Sequence, residues 1–401
     1  MDPLQILTFP LPYLCHDRPR GSVIPPPWLD RIQQQAAHRR TLGRERAIHP
    51  AAGVDVCSND YLGLRRDPRL AEAAAAAARA HGAGAGAARL LRGTCPLHDE
   101  LEATLAAWKG TATSLLFNTG YQANATLVPA LVGAGDAVFS DALNHASLVD
   151  GCRMARAGGA HLGVFGHLDL ADLATQLATW RAGAPPTALA LVATDAVFSM
   201  DGDAADLPAL LDLCERNGAM LLIDEAHATG LLGADGAGLA QQQGVHGRVP
   251  LVMGTLGKAI GAFGAFICCA SVLREHLLNT CRGFIFSTAL PPPVLGAALE
   301  GIRIARAEPW RRERALSLAD RLRRALRQPL HPSAIVPVPV GADADAVRLA
   351  SALQRRGFDV RAVRPPTVPE GSARLRITTG AHLEEDQVET LVQVLLETLG
   401  T

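Results

Sequence analysis

The sequence predicts an α/β protein: a mostly parallel central sheet covered by helices, followed by a smaller C-terminal α+β domain. Three observations support this prediction. Short apolar runs alternate with helix-length segments between about residues 67 and 290, a pattern typical of buried parallel strands joined by crossover helices. Hydrophobic residues make up 48% of the 401 residues and charged residues only 19%, which excludes a disordered chain. After three prolines at 291–293, shorter strand-like runs follow one long helical segment.

The apolar runs define the predicted elements in order along the chain. The strands predicted for the central sheet are 114–117, 137–139, 188–194, 220–223, 249–253 and 265–269. An amphipathic helix over 28–47 and a strand at 54–57 are predicted before them. In the C-terminal part, one helix is predicted over 294–327, with strands near 335–340, 359–363 and 374–378.

These elements predict four segments. Residues 1–27 form a proline-rich arm without periodicity and without an assigned role. Residues 28–66 form an N-terminal helix and strand segment, and residues 67–290 form the large domain. Residues 291–401 form the small domain.

Composition argues against several classes of partner. Lys and Arg number 38 and Asp and Glu 39, so the formal net charge is −1 and no overall field favours nucleic acid or an anionic membrane. No apolar stretch reaches the length of about 20 residues that a transmembrane helix needs. The eight cysteines are scattered without the spacing of metal ligands. We therefore expect a cytoplasmic protein with no metal, nucleic-acid or membrane partner.

The most informative segment is an apolar strand that ends in Asp224, with His227 three residues further on. A carboxylate at the end of a buried strand is costly unless it meets a cation. Lys258 follows the next predicted strand, and the carboxyl ends of neighbouring parallel strands share one edge of a sheet. An acid and a lysine placed there are what a pyridoxal phosphate enzyme requires, because the lysine holds the cofactor and the acid keeps its pyridine nitrogen protonated.

The same segment has a second interpretation. Residues 224–227 spell Asp-Glu-Ala-His, the acidic box of a helicase-type ATPase. Such an enzyme also needs a phosphate loop of the form G-x-x-x-x-G-K-[ST] earlier in the chain. The only Gly-Lys pair, at 257–258, follows the box, and Ala259 stands where Ser or Thr is required. A nucleic-acid-dependent ATPase therefore stays only a distant alternative.

A phosphate site is predicted at residues 118–124. This turn contains Gly120 and Tyr121, follows the strand 114–117 and precedes an apolar helical run. Backbone N–H groups at a helix N-terminus attract anions. An ordinary strand-to-helix turn is the alternative interpretation.

Six motifs in this order resemble those of the α-oxoamine synthases, relatives of the class-II pyridoxal-phosphate-dependent aminotransferases. The motifs are SNDYLGL at 58–64, PLHxxLE at 96–102, NHAS at 144–147, FSMDGD at 198–203, DEAHATG at 224–230 and TLGK at 255–258. The resemblance covers about residues 28–398. It implies a homodimeric fold-type I pyridoxal phosphate transferase that joins an amino acid to an acyl thioester and releases carbon dioxide.

Within this family, residues 364–378 look most similar to the members that join L-alanine to a pimeloyl thioester in biotin synthesis. The resemblance leaves open whether coenzyme A or an acyl carrier protein carries the pimeloyl group. Three alternatives share the residues that contact the cofactor ring: a glycine C-acetyltransferase, a 5-aminolevulinate synthase and a serine palmitoyltransferase-like enzyme.

The resemblance also implies roles for residues around the cofactor ring. Lys258 would hold pyridoxal phosphate and remove the Cα proton of the substrate. Asp224 would pair with the pyridine nitrogen, and His145 would stack on the ring face. Ser199 and His227 would contact the side of the phenolic oxygen.

Further roles concern the phosphate and the substrates. Gly120, Tyr121 and Thr255 would hold the phosphate, and Thr288 would reach the phosphate of the neighbouring subunit.

For the substrate carboxylate, Arg376 is the predicted partner and Asn59 its helper, with Arg374 expected on the opposite face of the strand. Thr367 and Arg39 would contact the acyl substrate. Which arginine of the segment 39–46 makes that contact stays open.

Overall fold

The computed structural model describes residues 24–399, in two units that divide between His49 and Pro50. The first unit contains helix α1 (Pro26–Thr41). The predicted helix over 28–47 is present with other bounds. It starts two residues earlier, because proline fits the first turn of a helix, and it ends six residues earlier, two residues before Gly43, whose φ is positive. The predicted arm lies outside the described residues up to residue 23, and its remaining prolines belong to the start of α1 or precede it.

The second unit contains all the remaining elements. Its strands are β1 (Val54–Asp55), β2 (Thr113–Phe117), β3 (Ala137–Asp141), β4 (His161–Phe165), β5 (Ala190–Asp195), β6 (Ala219–Asp224), β7 (Leu251–Thr255), β8 (Ala265–Cys269), β9 (Ile335–Gly341), β10 (Phe358–Asp359), β11 (Ala362–Val363) and β12 (Ala373–Thr378). Its helices are α2 (Pro68–His81), α3 (Pro96–Lys109), α4 (Gly120–Leu131), α5 (Ala146–Ala157), α6 (Leu170–Gly183), α7 (Leu207–Arg216), α8 (Leu239–Gln242), α9 (Ser271–Thr280), α10 (Arg282–Ile285), α11 (Pro292–Ala307), α12 (Trp310–Ala325), α13 (Asp343–Arg355) and α14 (Glu385–Leu399).

A seven-stranded sheet forms the centre of the second unit, within the residues described. Its strand order is β2-β8-β7-β6-β5-β3-β4. Neighbouring strands from β7 to β4 are parallel, whereas β8 runs antiparallel to both β2 and β7. The predicted mostly parallel sheet is confirmed, and all six predicted strands are present. The sequence did not predict β4, an edge strand whose exposed residues interrupt the apolar run.

Helices cover both faces of this sheet, which the burial of alternate strand residues shows. Val192 and Leu221 belong to one apolar cluster and Leu191 and Leu222 to another. Successive side chains of a strand point to opposite faces. Both faces are therefore buried, as continuous apolar strands require.

The single helix predicted over 294–327 is wrong, because the chain forms α11 and α12 with a break at Glu308 and Pro309. A proline inside a helix loses a backbone hydrogen bond and clashes with the preceding turn. Helix α11 packs against α2, and its Ile302 belongs to an apolar cluster of the central sheet.

The C-terminal strands form two small sheets. Strands β11, β12 and β9 are antiparallel, and β1 pairs in parallel with β10. Residues that precede the central sheet therefore pack with the C-terminal part of the chain, and α11 packs with the central part. The division at residues 66 and 290 stays a prediction. Among residues 24–399, no helix combines the length and apolarity needed to cross a membrane.

Gly301 fixes the distance between α11 and the turn after β7. A Cβ atom at this position would lie 2.4 Å from the carbonyl oxygen of Ile260, two residues beyond Lys258. Only glycine allows so close an approach of the two backbones. Helix α11 therefore supports the turn that carries the predicted cofactor lysine.

We expect Gly301→Ala to lower the free energy of unfolding by about 1–3 kcal/mol, because the added methyl group meets a backbone oxygen that cannot rotate away. Gly183→Ala is the matched control: Gly183 ends α6 and a Cβ there meets no atom within 4 Å. Urea unfolding measures both variants. Equal stability of the two would show that α11 does not press on this turn.

Candidate active site

The carboxyl edge of the sheet brings seven of the nine predicted cofactor residues together, all except Ser199 and Thr288. Asp224 ends β6, Thr255 ends β7 and Lys258 follows three residues later. Gly120 begins α4, and His145 precedes α5. A cavity of about 160 Å³ opens at this edge, where ligands of parallel sheets bind. It is lined by Gly120, Tyr121, His145, Ser147, Asp195, Val197, Asp224, Ala226, His227, Met253, Thr255 and Lys258.

Lys258 reaches His227 across the cavity, with 2.7 Å between Lys258 Nζ and His227 Nε2. Burial lowers the pKa of Lys258 to about 8, although the nearby carboxylate of Asp224 opposes this shift. A lysine with such a pKa is partly neutral near neutral pH, which a nucleophile or base requires.

Asp224 is a buried carboxylate held in a fixed orientation. Asn124 Nδ2 donates to its Oδ2 over 2.7 Å, and the Ala226 N–H donates to its Oδ1 over 2.8 Å. Asn124 also donates to Ser147 Oγ over 3.0 Å. Sequence reasoning included Asn124 only as the last residue of the predicted phosphate turn and did not predict its bond to Asp224; the available signal was an asparagine inside an apolar helical run.

His145 is held beside a second acid. Its Nδ1 lies 2.7 Å from Ser147 Oγ, and its backbone N–H donates to Asp195 Oδ2 over 3.2 Å. Asp195 ends β5 directly opposite Asp224 in the sheet register. Burial, together with the charge of Asp224, raises the pKa of Asp195 well above its usual value. Sequence reasoning missed Asp195, which lies three residues before the motif that starts at Phe198.

Tyr61 connects two predicted substrate residues to His227. Its Oη lies 2.7 Å from His227 Nδ1 and 3.2 Å from Asn59 Oδ1. Arg376 Nη2 donates to the same oxygen over 3.4 Å. Tyr61 lies inside the predicted motif 58–64, but its side chain was not assigned a role.

The two arginines of β12 face the same loop. Arg376 Nε donates to the carbonyl of Ser199, and Arg374 pairs with Asp201. The expectation that Arg374 lies on the opposite face from Arg376 is wrong, because strand residues two apart share a face. Ser199 does not line the cavity; its backbone holds the guanidinium of Arg376.

Two further predicted residues of the second unit lie outside this lining. The Thr288 carbonyl accepts from Asn118 Nδ2 over 2.9 Å, and Thr288 lines a small neighbouring cavity. Thr367 is exposed in the turn after Arg364, to whose carbonyl its N–H donates. Arg39 lies on α1 in the first unit, so its predicted contact stays a prediction.

The acidic box at 224–227 has a structural explanation. Glu225 is fully buried, and Lys109 Nζ donates to its Oε2 over 2.5 Å. The Ala240 N–H donates to its other oxygen over 2.9 Å, and Lys109 also donates to Thr229. Glu225 does not line the cavity, and its carboxylate is committed to this buried ion pair. The spelling alone therefore does not indicate ATP hydrolysis.

The cavity residues fit pyridoxal phosphate. Asp224 supplies a fixed carboxylate for a protonated pyridine nitrogen, and Lys258 supplies an amine for the aldehyde. The N-terminus of α4 begins at Gly120, where backbone N–H groups without helical partners attract a phosphate.

Comparison with known proteins agrees with this geometry. The family model described as aminotransferase class I and II matches residues 51–395. The chain belongs to this family. It is 53% identical over 351 residues to the 8-amino-7-oxononanoate synthase of Anaeromyxobacter dehalogenans strain 2CP-C, covering 86% of each chain. It is 44% identical over 379 residues to the 8-amino-7-oxononanoate synthase of Trichlorobacter lovleyi, covering 92% of this chain and 95% of the relative.

Solved structures of this family share the fold. The serine palmitoyltransferase of S. paucimobilis, solved with a bound PLP–myriocin aldimine, is 30% identical with a TM-score of 0.84 and covers 92% of this chain and 98% of its own. The 8-amino-7-oxononanoate synthase of Francisella tularensis is 24% identical with a TM-score of 0.72, covers 87% and 98% of the two chains, and supports the fold alone. The predicted family, fold class and dependence on pyridoxal phosphate are confirmed.

A histidine outside the cavity fixes the loop that carries Ser199. His167 Nδ1 lies 2.9 Å from Asp141 Oδ1, and its Nε2 lies 2.8 Å from Asp203 Oδ2. Its ring meets that of Phe198 edge-on, with 4.3 Å between centroids. Although burial lowers it, the bonds to the two carboxylates raise the pKa of His167 to about 10. In this enzyme a charged imidazolium therefore ties the end of β3 to the loop 198–203.

We expect the contribution of His167 to depend on pH. Its folded pKa of about 10 lies above the unfolded value near 6.5, so its stabilisation is fully present below about pH 6.5 and is lost as the pH rises through about 10. His167→Gln should therefore cost about 2 kcal/mol at pH 6 and much less at pH 10, measured by urea unfolding. The exposed His276→Gln is the control. A cost for His167→Gln that stays constant with pH would contradict the charged state.

Proposed function

We propose that this enzyme joins L-alanine to a pimeloyl thioester and releases carbon dioxide and a free thiol, with 8-amino-7-oxononanoate as the product in biotin synthesis. The observation that carries the proposal is the 53% identity, over 86% of each chain, to a protein named 8-amino-7-oxononanoate synthase. The cavity supports it with an amine, a fixed carboxylate and a helix N-terminus at one sheet edge. Coenzyme A or an acyl carrier protein carries the pimeloyl group as a thioester and is released as the free thiol.

Pyridoxal phosphate, when bound, supplies an electron-withdrawing ring that stabilises negative charge at the substrate Cα. Asp224, oriented by Asn124 and the Ala226 N–H, keeps that ring positively charged at its nitrogen. Lys258 removes the Cα proton, a task suited to a pKa of about 8. Among the cavity residues, His145 is the one proposed to stack on the face of the ring.

Arg376 binds the substrate carboxylate in this proposal. A guanidinium can hold a carboxylate through two parallel hydrogen bonds. The Ser199 carbonyl and Tyr61 Oη hold the Arg376 side chain in place, so little side-chain freedom is lost on binding. Asn59 is linked to Arg376 indirectly, because Tyr61 Oη contacts both side chains. Thr367 and Arg39 are the residues proposed for the acyl substrate.

The phosphate contacts proposed for Gly120, Tyr121 and Thr255 rest on their place in the cavity wall. Gly120 and Tyr121 contribute the first N–H groups of α4, and Thr255 is the last residue of β7. Tyr121 Oη donates to Asp150, which orients the phenol at the rim. The cytoplasmic location and the absence of nucleic-acid and membrane partners stay predictions.

Condensation of serine with a long-chain acyl thioester is the second candidate, because the serine palmitoyltransferase structures match with a TM-score of 0.84. The identity of 30% to that enzyme against 53% to the Anaeromyxobacter relative favours alanine. Glycine-dependent members of the family share the chemistry at the cofactor ring, and condensation with glycine is therefore the third candidate function.

Substrate preference tests the proposal. Purified enzyme is assayed with alanine, glycine and serine against pimeloyl, acetyl, succinyl and palmitoyl thioesters. We expect kcat/KM for alanine with the pimeloyl thioester to exceed every other pair by at least about tenfold, the discrimination that one methyl group supplies. Lys258→Ala should abolish product formation and serves as the blank. A preference for glycine or serine would overturn the proposed product.

We also propose a homodimer in which Thr288 reaches the phosphate of the neighbouring subunit. An antiparallel bridge joins Ala88 to Thr288, so the segments around these residues lie side by side. Both segments present large exposed apolar side chains, Leu91 at 82% and Phe286 at 70%. Exposed apolar patches of this kind mark protein interfaces, and Asn118 ties this one to the turn before α4.

The double variant Leu91→Asp, Phe286→Asp should shift the protein from dimer to monomer, because buried charges in an interface core are costly. Analytical ultracentrifugation at micromolar concentration measures the change. Leu330→Asp, at an exposed apolar residue of the C-terminal part, is the matched control and should stay dimeric. A double variant that remains dimeric would place the interface elsewhere.

A further inference from the structure

One buried phenol joins the cofactor lysine to the arginine proposed for the substrate carboxylate. Tyr61 is 1% exposed, and its Oη lies 2.7 Å from His227 Nδ1. On the other side of the imidazole, His227 Nε2 lies 2.7 Å from Lys258 Nζ. Arg376 Nη2 donates to the phenolic oxygen over 3.4 Å. Lys258, His227, Tyr61 and Arg376 thus form one continuous hydrogen-bonded chain.

Tyr61 has a single hydroxyl hydrogen to give, and two acceptors compete for it. His227 Nδ1 is 2.7 Å away and Asn59 Oδ1 is 3.2 Å away. The shorter contact has the length of a strong hydrogen bond, whereas 3.2 Å exceeds the usual range for a hydroxyl donor to oxygen. Donation by Arg376 into the phenolic oxygen polarises the O–H bond and strengthens it as a donor. The hydroxyl hydrogen therefore goes to His227.

This hydrogen bond determines which nitrogen of His227 carries a proton. Burial lowers the pKa of His227 well below its usual value, so the ring is neutral and holds one N–H. If Nδ1 accepts from Tyr61, the hydrogen must sit on Nε2. That N–H points at Lys258 Nζ. A donor at this distance pairs with the lone pair of an amine and repels an ammonium.

We propose that Tyr61 is a positioning residue: by donating to His227 Nδ1 it selects the Nε2–H tautomer, and this tautomer favours the free-amine form of Lys258. The inference rests on the proposed function, in which Lys258 must be neutral to attack the cofactor aldehyde and to take the Cα proton. The tautomer itself is a property of the chain and can be measured without substrate.

Other ionisable groups also act on this pair. Those that face Lys258 and His227 are Asp224, Asp195, His145 and Arg376. The carboxylates favour the ammonium form of Lys258, and Arg376 opposes it. Removing the Tyr61 hydroxyl leaves Asp224, Asp195 and His145 untouched but takes away one of the two contacts that hold Arg376, so an effect through His227 has to be separated from an effect through Arg376.

The decisive variant is Tyr61→Phe, which removes one oxygen atom and keeps the ring. In the full-length protein freed of cofactor, the rate of pyridoxal phosphate capture by Lys258 is measured against pH. The neutral amine adds to the aldehyde and one water leaves, so the rate follows the amine fraction. We expect the midpoint in Tyr61→Phe to rise by about one pH unit, which makes capture below the midpoint about tenfold slower. An unchanged or lower midpoint overturns the proposal.

A double-mutant cycle separates this route from a general loss of structure. In the His227→Gln background, Tyr61→Phe should move the midpoint by less than about 0.3 unit, because the imidazole that transmits the effect is gone. A shift as large as in the parent would mean that Tyr61 acts on Lys258 by another route, and would refute the proposed one.

Histidine-selective 15N NMR of the wild-type full chain gives a readout that does not need the Tyr61 variant to fold. The His227 signal is identified by its loss in His227→Gln. Above the Lys258 midpoint we expect Nε2 to carry the hydrogen, and a hydrogen on Nδ1 would overturn the inference. If the tautomer and midpoint behave as expected but alanine is not the substrate, only the proposed function fails. If alanine is used and the midpoint does not move, only this inference fails.

Discussion

Burial of the Asp224 carboxylate at the end of β6 is the constraint on which the site depends. A carboxylate removed from water is costly unless hydrogen bonds and a positive charge compensate it. Asn124 and the Ala226 N–H satisfy two of its acceptor sites. Although burial lowers the pKa of the nearby Lys258, the charge of Asp224 acts to raise it and so favours a positive charge there. The elements around the site follow from this requirement: α4 brings Asn124, β7 and its turn bring Lys258, and α11 supports that turn.

The two acids of the Asp-Glu pair at 224 and 225 have different surroundings. Successive residues of an extended chain point to opposite sides, so Asp224 lines the cavity whereas Glu225 meets Lys109 in the interior. The pair therefore serves two purposes, one chemical and one structural. The four letters shared with an ATP-hydrolysing motif do not indicate ATP hydrolysis in this environment. Fold and partners decide what a short motif does.

The sequence allowed much of the fold to be predicted, because continuous apolar runs mark buried parallel strands. The predictions missed features that depend on distant parts of the chain. Strand β4 has only an edge position and alternating exposure, and the break at Pro309 was hidden inside an otherwise helical pattern. In the site, the sequence motifs predicted that Lys258, Asp224 and His145 lie together, and all three line one cavity. Asn124, Asp195 and the side chain of Tyr61 were not, since their partners are set by the topology of the sheet.

The pairing of β1 with β10 has a consequence for synthesis of the chain on the ribosome. Val54 pairs with Phe358, and Tyr61, which follows β1, meets Arg376 across 315 residues. At about 5–20 residues per second, the early segment waits on the order of a quarter of a minute to a minute before its partners emerge. The N-terminal part of the site is therefore synthesised long before its partners, and the site can assemble only after Arg376 has been synthesised.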